Sequence, residues 1–177
     1  VPAYVLLGIL ILAWLWPMAE TRNKLRRSFS SVVELMDRYP EYHFNQSMAQ
    51  YYAWLEQDDP ALLARIAEKV AKGQWEPIGA MWVEPDVNMP TGESLVRQLL
   101  YGTKKFDALF GSKARTAVNW LPDTFGFTPV LPQLLRLAGI EGVFTHKTNW
   151  SEKNKMETDL FWWEGLDGSR VLMHTFD

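Results

Sequence analysis

The chain has 177 residues, of which 47% are hydrophobic and 22% are charged, proportions that fit one globular domain. Its 18 basic and 21 acidic side chains give a net charge of −3, so no basic field is present to hold a nucleic acid. The lack of cysteine excludes disulfides, thiolate metal sites and cysteine nucleophiles, which leaves carboxylate and imidazole chemistry. The aromatic content of 14%, with nine tryptophans, is typical of proteins that stack rings against sugars or peptides, although tryptophan also fills cores.

Residues 1–19 are almost entirely apolar and allow two interpretations. Their length just reaches the roughly 18 residues of a membrane-spanning helix, and Lys24, Arg26 and Arg27 follow as they would on the cytoplasmic side of an anchor. Residues 4–12, however, are rich in leucine and β-branched side chains, the pattern of a strand buried on both faces. We favour the buried strand and keep the membrane anchor as the alternative.

Apolar spacing and turn residues predict the remaining elements in chain order. The predicted helices cover 20–39, 47–56 with Ser47 as the N-terminal cap, 60–73, 93–110 and 129–138. The predicted strands cover 4–12, 42–44, 75–83, 116–120, 142–145, 160–163 and 170–174. Strands that alternate with helices indicate an α/β fold with parallel strands in one barrel-like sheet.

In such folds the functional side chains lie in loops that follow the carboxyl ends of the strands. These loops are 13–17, 84–88, 121–127 and 146–150, and each contains a tryptophan, an acid or a base. Asp123 is the sharpest candidate, because it follows a short apolar strand and has an aromatic side chain on either side in sequence. A partly desolvated aspartate there could be a nucleophile or a metal ligand. Alternatively, Asp123 caps the helix that begins near Pro129 or holds the turn.

Two further loops carry charged side chains. Glu84 and Asp86 form a second acidic pair, either for chemistry or as turn residues that hold their loop by hydrogen bonds. Lys147 could reach an anionic or hydroxylated ligand, or it could be a solvated surface charge.

The aromatic and imidazole groups give weaker signals. Trp14 and Trp16 could form the floor of a sugar site or belong to the core. His43 and His146 lack the helical spacing of metal ligands, so neither is assigned to a metal.

Seven sequence blocks occur in one order along practically the whole chain. They are Ala-Trp-Leu-Trp-Pro at 13–17 with Glu-Thr at 20–21, Gly-Gln-Trp-Glu at 73–76, Trp-Val-Glu-Pro-Asp-Val-Asn at 82–88, Gly-Glu-Ser-Leu-Val-Arg-Gln at 92–98, Trp-Leu-Pro-Asp-Thr-Phe-Gly at 120–126, Leu-Pro-Gln at 131–133 and Lys-Thr-Asn-Trp at 147–150. Together they resemble the amino-terminal part of the glycoside hydrolase family 38 α-mannosidases.

The resemblance implies that residues 1–177 are the amino-terminal portion of a (β/α)7-type catalytic barrel. It implies hydrolysis of terminal α-mannosidic bonds in mannose-containing glycans with retention, through an aspartate that is both nucleophile and zinc ligand. Asp123 matches that aspartate, Trp14 and Phe125 match aromatic positions of the sugar subsite, and Lys147 falls near a basic position of the same pocket.

The chain departs from the family at two zinc-ligand positions. A His-x-Asp pair precedes the first block in the family, whereas Ile9 and Ile11 occupy those positions here. The remaining zinc-binding histidine and the acid/base carboxyl lie beyond the matched region. We therefore expect this chain by itself to bind zinc weakly or not at all and to turn over mannosides negligibly, because catalytic zinc usually has three protein ligands.

Three hypotheses follow from the sequence. The chain is an incomplete or divergent α-mannosidase, a non-catalytic carbohydrate-binding remnant, or a membrane-anchored protein that spans the bilayer with residues 1–19. The first implies a mannose-containing oligosaccharide as ligand and a cytoplasmic location without membrane contact. A half-barrel would leave strand edges open, so we also expect either a homo-oligomer or a missing carboxyl-terminal half.

Overall fold

A computed structural model describes residues 6–7, 17–150, 152–154 and 156–176, without the side chains of residues 6, 7 and 149. The helices are α1 (Met18–Arg38), α2 (Ala49–Asp58), α3 (Pro60–Ala71), α4 (Gly92–Phe110) and α5 (Leu131–Leu137). The strands are β1 (Leu6–Leu7), β2 (Phe44–Gln46), β3 (Trp75–Pro77), β4 (Val118–Trp120), β5 (Gly142–Thr145), β6 (Leu160–Glu164) and β7 (Arg170–Thr175). Short 3₁₀ helices cover Ser112–Ala114 and Lys147–Trp150. This order of elements confirms the predicted α/β class.

The described strands form two sheets. The first has the order β1-β2-β3 and is parallel throughout. The second has the order β4-β5-β7-β6, in which β6 alone runs antiparallel. Among the described residues, the strands thus form two sheets rather than one, and neither sheet closes on itself. The predicted parallel pairing is confirmed for β1, β2 and β3 and for β4, β5 and β7.

The two sheets separate because the predicted strand 75–83 ends at Pro77. Proline has no N–H to donate to a ladder, and Gly79 then adopts a φ of +71°, which turns the backbone out of the strand direction. The turn brings Gly79 against the last residue of β4, the edge strand of the second sheet. A Cβ built on Gly79 would lie 3.1 Å from Cβ of Trp120. An isolated parallel bridge between Val87 and Phe127 makes a second link.

The first core lies between the first sheet and helices α1 to α3. Trp75 of β3 is its centre, with ring centroids 4.9 Å from Phe29 and 4.7 Å from Phe44. The indole N–H of Trp75 donates to the Tyr52 hydroxyl at 2.9 Å, and that hydroxyl donates to the backbone oxygen of Gln46 at 3.0 Å. The buried polar atoms of Trp75 and Tyr52 are thus satisfied, and they fix α2 against β2 and β3.

The second core lies between helices α4 and α5 and the second sheet. Its fully buried members include Leu95, Leu121, Leu131, Leu135, Val143 and Val171. The apolar stripe predicted for 93–110 is confirmed at Leu95 and Leu99, which lie in this core, and at Phe106, which lies in the first core, whereas Leu100 is exposed.

Several predicted boundaries shift for local reasons. Ser47 is not the cap of α2, because Met48 takes the N-cap position with a φ of 64° and the Ser47 hydroxyl bonds elsewhere. Strand β4 begins at Val118 because the Thr116 hydroxyl accepts the Val118 N–H at 3.0 Å and holds a turn. Asp59, which the sequence analysis did not single out, caps α3 by accepting the Leu62 N–H at 3.0 Å.

The structure describes only Leu6 and Leu7 within residues 1–16, where the strand and the membrane anchor are predicted. Of the predicted strand 4–12, Leu6–Leu7 pairs in parallel with β2, and the other positions lie outside the described residues. Among the helices that the structure describes, none combines the length and the apolar character needed to cross a membrane.

The contact between α4 and the segment after β3 generates a stability prediction. A Cβ built on Gly102 would lie 2.2 Å from the backbone oxygen of Ala80 and 2.6 Å from the carbonyl carbon of Met81, so alanine cannot fit without backbone movement. We expect Gly102→Ala to lower the free energy of unfolding by about 3 kcal/mol, measured by urea denaturation. Gly92→Ala, at the open start of the same helix, should change it by less than about 0.5 kcal/mol. Equal effects of the two variants would contradict this packing.

Candidate active site

Side chains from the carboxyl ends of four parallel strands make one series of interactions. Ser47 follows β2, Glu84 lies in the loop after β3, Asp123 follows β4 and Lys147 follows β5. The Ser47 hydroxyl bonds to Glu84, the Glu84 and Asp123 carboxyls interact electrostatically, and Asp123 forms an ion pair with Lys147. The fold therefore collects two carboxyls and one ammonium on the face where such folds place their sites.

The ion pair between Asp123 and Lys147 joins the loops after β4 and β5. Oδ1 of Asp123 lies 2.6 Å from Nζ of Lys147, and the lysine side chain is only 5% exposed, against 31% for the aspartate. The interpretation of Lys147 as a solvated surface charge is therefore wrong. Asp123 is not the cap of α5, because Val130 holds the N-cap position without a side-chain hydrogen bond.

Two aromatic rings complete the surroundings of the ammonium. Nζ of Lys147 lies 3.5 Å from the ring centroid of Trp150 and 4.4 Å from that of Phe125. Lys147 and Trp150 are three residues apart in a 3₁₀ helix, where side chains at i and i+3 lie one above the other. The Thr145 hydroxyl accepts the Lys147 N–H at 3.2 Å and starts this helix. Cation–π attraction thus adds to the ion pair in holding the ammonium.

Glu84 is a half-buried carboxyl with a raised pKa. Burial raises the pKa of Glu84 to about 7, the hydrogen bond from Ser47 opposes this shift, and the Asp123 carboxylate adds to it. The hydroxyl of Tyr51, which has no hydrogen-bond partner among the described residues, also has its pKa raised by burial and by the Glu84 charge. Glu84 is therefore a carboxyl that gains and loses its proton near neutral pH.

Helices α2 and α4 fix the backbone that leads to Glu84. The backbone oxygen and the side-chain Oε1 of Gln98 accept the N–H groups of Trp82 and Val83, each at 3.0 Å. The indole N–H of Trp82 donates to Oε1 of Gln50 at 2.9 Å. The sequence did not predict that Gln50 and Gln98 hold this backbone, because the hydrogen bonds join segments that are distant in the chain. Gln98 is the last residue of the block at 92–98, and its place there was the one sign of a role.

Asp86, in contrast, is a turn residue that holds its loop by hydrogen bonds, one of the two roles predicted for it. Its Oδ1 accepts the N–H groups of Asn88 at 2.7 Å and Met89 at 2.8 Å, which makes an Asx turn. The Thr124 hydroxyl donates to the Pro85 oxygen at 3.2 Å and ties this loop to the Asp123 loop.

Of the other sequence candidates, His146 lies beside the site and His43 lies away from it. Trp14 and Trp16 lie outside the described residues. His43 places Nδ1 3.1 Å from the Gly73 oxygen, at the opposite end of β2 from Ser47. The ring of His146 lies 5.9 Å from that of Trp150, and burial lowers the His146 pKa, Lys147 lowers it further and Asp123 opposes the shift.

The described residues do not fit a zinc ion. In this part of the chain no three histidine, aspartate or glutamate side chains form a group that could hold a metal. Asp123, the ligand that the family resemblance implies, already has its Oδ1 on the Lys147 ammonium. Ile9 and Ile11 lie outside the described residues. We therefore derive no chemical step through zinc.

The arrangement suits a ligand with many hydroxyl groups and apolar faces. Carboxyl oxygens accept hydrogen bonds from hydroxyls, and a carboxyl that also carries a proton near pH 7 can donate one. Phe125 and Trp150 are 59% and 64% exposed, so their rings remain open to the apolar side of a sugar ring.

The raised pKa of Glu84 predicts a pH dependence of stability. Between the ordinary value of 4.5 and about 7, the folded state binds more protons than the unfolded state, so the free energy of unfolding falls as pH rises through this range. The shift corresponds to about 3 kcal/mol, which Glu84→Gln should remove from the pH profile of urea denaturation. The exposed Glu141→Gln is the control, and it should retain the full dependence.

The neighbours of Glu84 should shift its pKa in opposite directions. Ser47→Ala removes a hydrogen bond that favours the charged form, so the pKa of Glu84 should rise. Asp123→Asn removes a like charge, so the pKa should fall. Titration of the Glu84 carboxyl carbon by NMR measures both, and shifts of the same sign would contradict the geometry described here.

Comparison with known proteins identifies the family. The family model described as "Glycosyl hydrolases family 38 N-terminal domain" matches residues 12–177. "Alpha-mannosidase G" of Dictyostelium discoideum is 48% identical over 163 residues, which are 92% of this chain and 15% of that protein. "Alpha-mannosidase" of Saccharomyces cerevisiae is 46% identical over the same shares. The chain thus spans about 15% of the length of these curated relatives.

The fold agrees with this assignment. The crystal structure of an alpha-mannosidase from Enterococcus faecalis V583 superposes with a TM-score of 0.82 at 22% identity, covering 93% of this chain and 19% of that chain. At this identity the likeness shows a shared fold. The sequence matches and the shared fold together establish that the chain belongs to glycoside hydrolase family 38.

Proposed function

We propose that this chain contributes the nucleophile region of an α-mannosidase that hydrolyses terminal α-mannosidic bonds in mannose-containing glycans with retention. The observation that carries the proposal is the Asp123–Lys147 pair at the strand ends, framed by the exposed rings of Phe125 and Trp150. The names of the relatives at 48% and 46% identity support the substrate class.

In this proposal Asp123 is the nucleophile. Lys147 holds Oδ1, so Oδ2 is left to attack the anomeric carbon of the mannose unit. The bond to the leaving oxygen breaks, that oxygen takes a proton from a general acid, and a glycosyl ester of Asp123 remains. Water then adds to the anomeric carbon and gives its proton to the conjugate base of that general acid, the bond between the anomeric carbon and Oδ2 of Asp123 breaks, and mannose and the Asp123 carboxylate are released. Lys147 orients the carboxylate, and Phe125 and Trp14 contact the sugar.

We also propose that the two sheets are adjacent arcs of a (β/α)7-type barrel to which residues 1–177 contribute the amino-terminal portion. The close approach of Gly79 to Trp120 and the bridge between Val87 and Phe127 support this arrangement, because both join the end of the first sheet to the start of the second. The carboxyl ends of β2, β4 and β5 all lead into the same series of side chains, as in a barrel.

A chimera tests the nucleophile. Residues 17–177 would replace the matching segment of the Saccharomyces cerevisiae "Alpha-mannosidase", which supplies the rest of the domain. We expect the chimera to hydrolyse p-nitrophenyl α-mannoside, and Asp123→Asn within it to lower kcat by on the order of 10³-fold or more. The exposed Glu141→Gln should leave kcat unchanged. An Asp123→Asn chimera that keeps full activity would exclude Asp123 as the nucleophile.

The expectation that this chain by itself binds zinc weakly or not at all has a separate test. We expect equilibrium dialysis to show weak or no zinc binding by the unaltered chain, and tighter binding by the Ile9→His, Ile11→Asp double variant with some loss of stability. A Leu10→His, Leu12→Asp variant is the control, because in the strand that the sequence predicts for residues 4–12 a shift of one residue moves the same side chains to the other face. Stoichiometric zinc at micromolar affinity in the unaltered chain would contradict the comparison of positions 9 and 11 with the family.

A further inference from the structure

We propose that Trp150 forms a second sugar subsite, in which its outer indole face stacks on the sugar unit next to the mannose that Asp123 attacks. The inference rests on the proposed function, since it assigns the neighbouring subsite of the same site. Trp150 has no role assigned from its sequence position alone.

The inner face of the indole is already occupied. Nζ of Lys147 lies 3.5 Å from the Trp150 ring centroid and 2.6 Å from Oδ1 of Asp123. A cation at that distance from the centroid lies over the ring face. The side of Trp150 that carries Lys147 is therefore the side of Asp123, where the attacked mannose binds.

Much of the indole is open among the described residues. Trp150 is 64% exposed even though Lys147 covers one face of its ring and the His146 ring lies 5.9 Å away, tilted by 44°. Phe125 meets Trp150 edge to face, with centroids 5.9 Å apart and planes at 78°, and is itself 59% exposed. The two rings thus form an open corner with two apolar walls above the ion pair.

The chemistry of this corner selects a sugar ring. A pyranose presents C–H groups on one face and hydroxyls at its rim, so a flat neutral ring can cover the C–H face while water solvates the rim. Among the described residues, Asp123 and Lys147 neutralise each other, so this pair offers no net charge to an ionic ligand. Because the open face points away from Asp123, its occupant is the neighbouring sugar and not the mannose under attack.

A simpler role for Trp150 is to shield the Lys147 ammonium, and this role predicts a different result. Loss of shielding would disturb the Asp123 side and weaken the binding of monosaccharides and disaccharides alike. Loss of a second subsite would weaken the disaccharide alone. The ratio of the two affinities therefore separates the two roles.

The test uses residues 17–177 unaltered within the chimera described above, because the chimera contains the rest of the domain. The ligands are methyl α-D-mannopyranoside and the methyl glycoside of a sulfur-linked α-mannobiose, which is not hydrolysed, and binding is titrated by ligand-observed NMR. We expect the disaccharide to bind the unaltered chimera about tenfold more tightly than the monosaccharide, which is about 1.4 kcal/mol. Trp150→Ala should remove this preference, and Trp150→Phe should keep most of it. Trp162→Ala is the matched control, because Trp162 is 63% exposed and lies on β6.

The outcomes separate this inference from the proposed function. If the unaltered chimera binds neither ligand, the mannose site itself is refuted, and the subsite with it. If both ligands bind and Trp150→Ala keeps the tenfold preference or weakens both ligands equally, the subsite alone is refuted. Saturation transfer from the aromatic protons of the unaltered chimera gives a test that needs no variant: it should reach both sugar units, and its absence from the non-attacked unit would also refute the subsite.

Discussion

The burial of the Lys147 ammonium is the constraint on which the site depends. A lysine side chain that is 5% exposed has lost most of its hydration, and the ion pair with Asp123 and the faces of Phe125 and Trp150 replace that hydration. These partners come from the loops after β4 and β5, so burial of one charge fixes two loops. Without Asp123 the ammonium would remain buried without its counter-charge, so the same carboxylate serves both the stability of the loops and the proposed chemistry.

Glu84 carries this coupling across to the first sheet. Its carboxyl accepts a hydrogen bond from Ser47 after β2 and interacts with the charge of Asp123 after β4. The proton on Glu84 therefore responds to groups from both sheets. When Glu84 is neutral, the negative charge beside Lys147 is that of Asp123. When Glu84 is ionised, a second negative charge lies near that pair, so the net charge of these strand-end side chains changes near pH 7.

Sequence reasoning succeeded where the determining interactions are local. The apolar stripe of α4 and the alternation of strands with helices follow from side-chain periodicity, and the block around Asp123 pointed to the strand end that the structure joins to Lys147. It failed where distant segments decide. The segment that leads from β3 to Glu84 is held by Gln98, and the hydroxyl of Ser47 bonds to Glu84 in place of a helix N-terminus. The burial of Lys147 could not be read from its own loop, because its counter-charge comes from another strand.

Helix α4 carries both the tight contact at Gly102 and the two hydrogen bonds that Gln98 accepts. These residues are four apart, so they lie on one face of the helix, one turn from each other. That face admits the backbone of residues 80–82 and also holds the N–H groups of Trp82 and Val83. Helix and loop are therefore joined at adjacent backbone positions, and the loop continues from Val83 directly into Glu84. The placement of the Glu84 carboxyl thus depends on the packing of a helix that contributes no side chain to the series from Ser47 to Lys147.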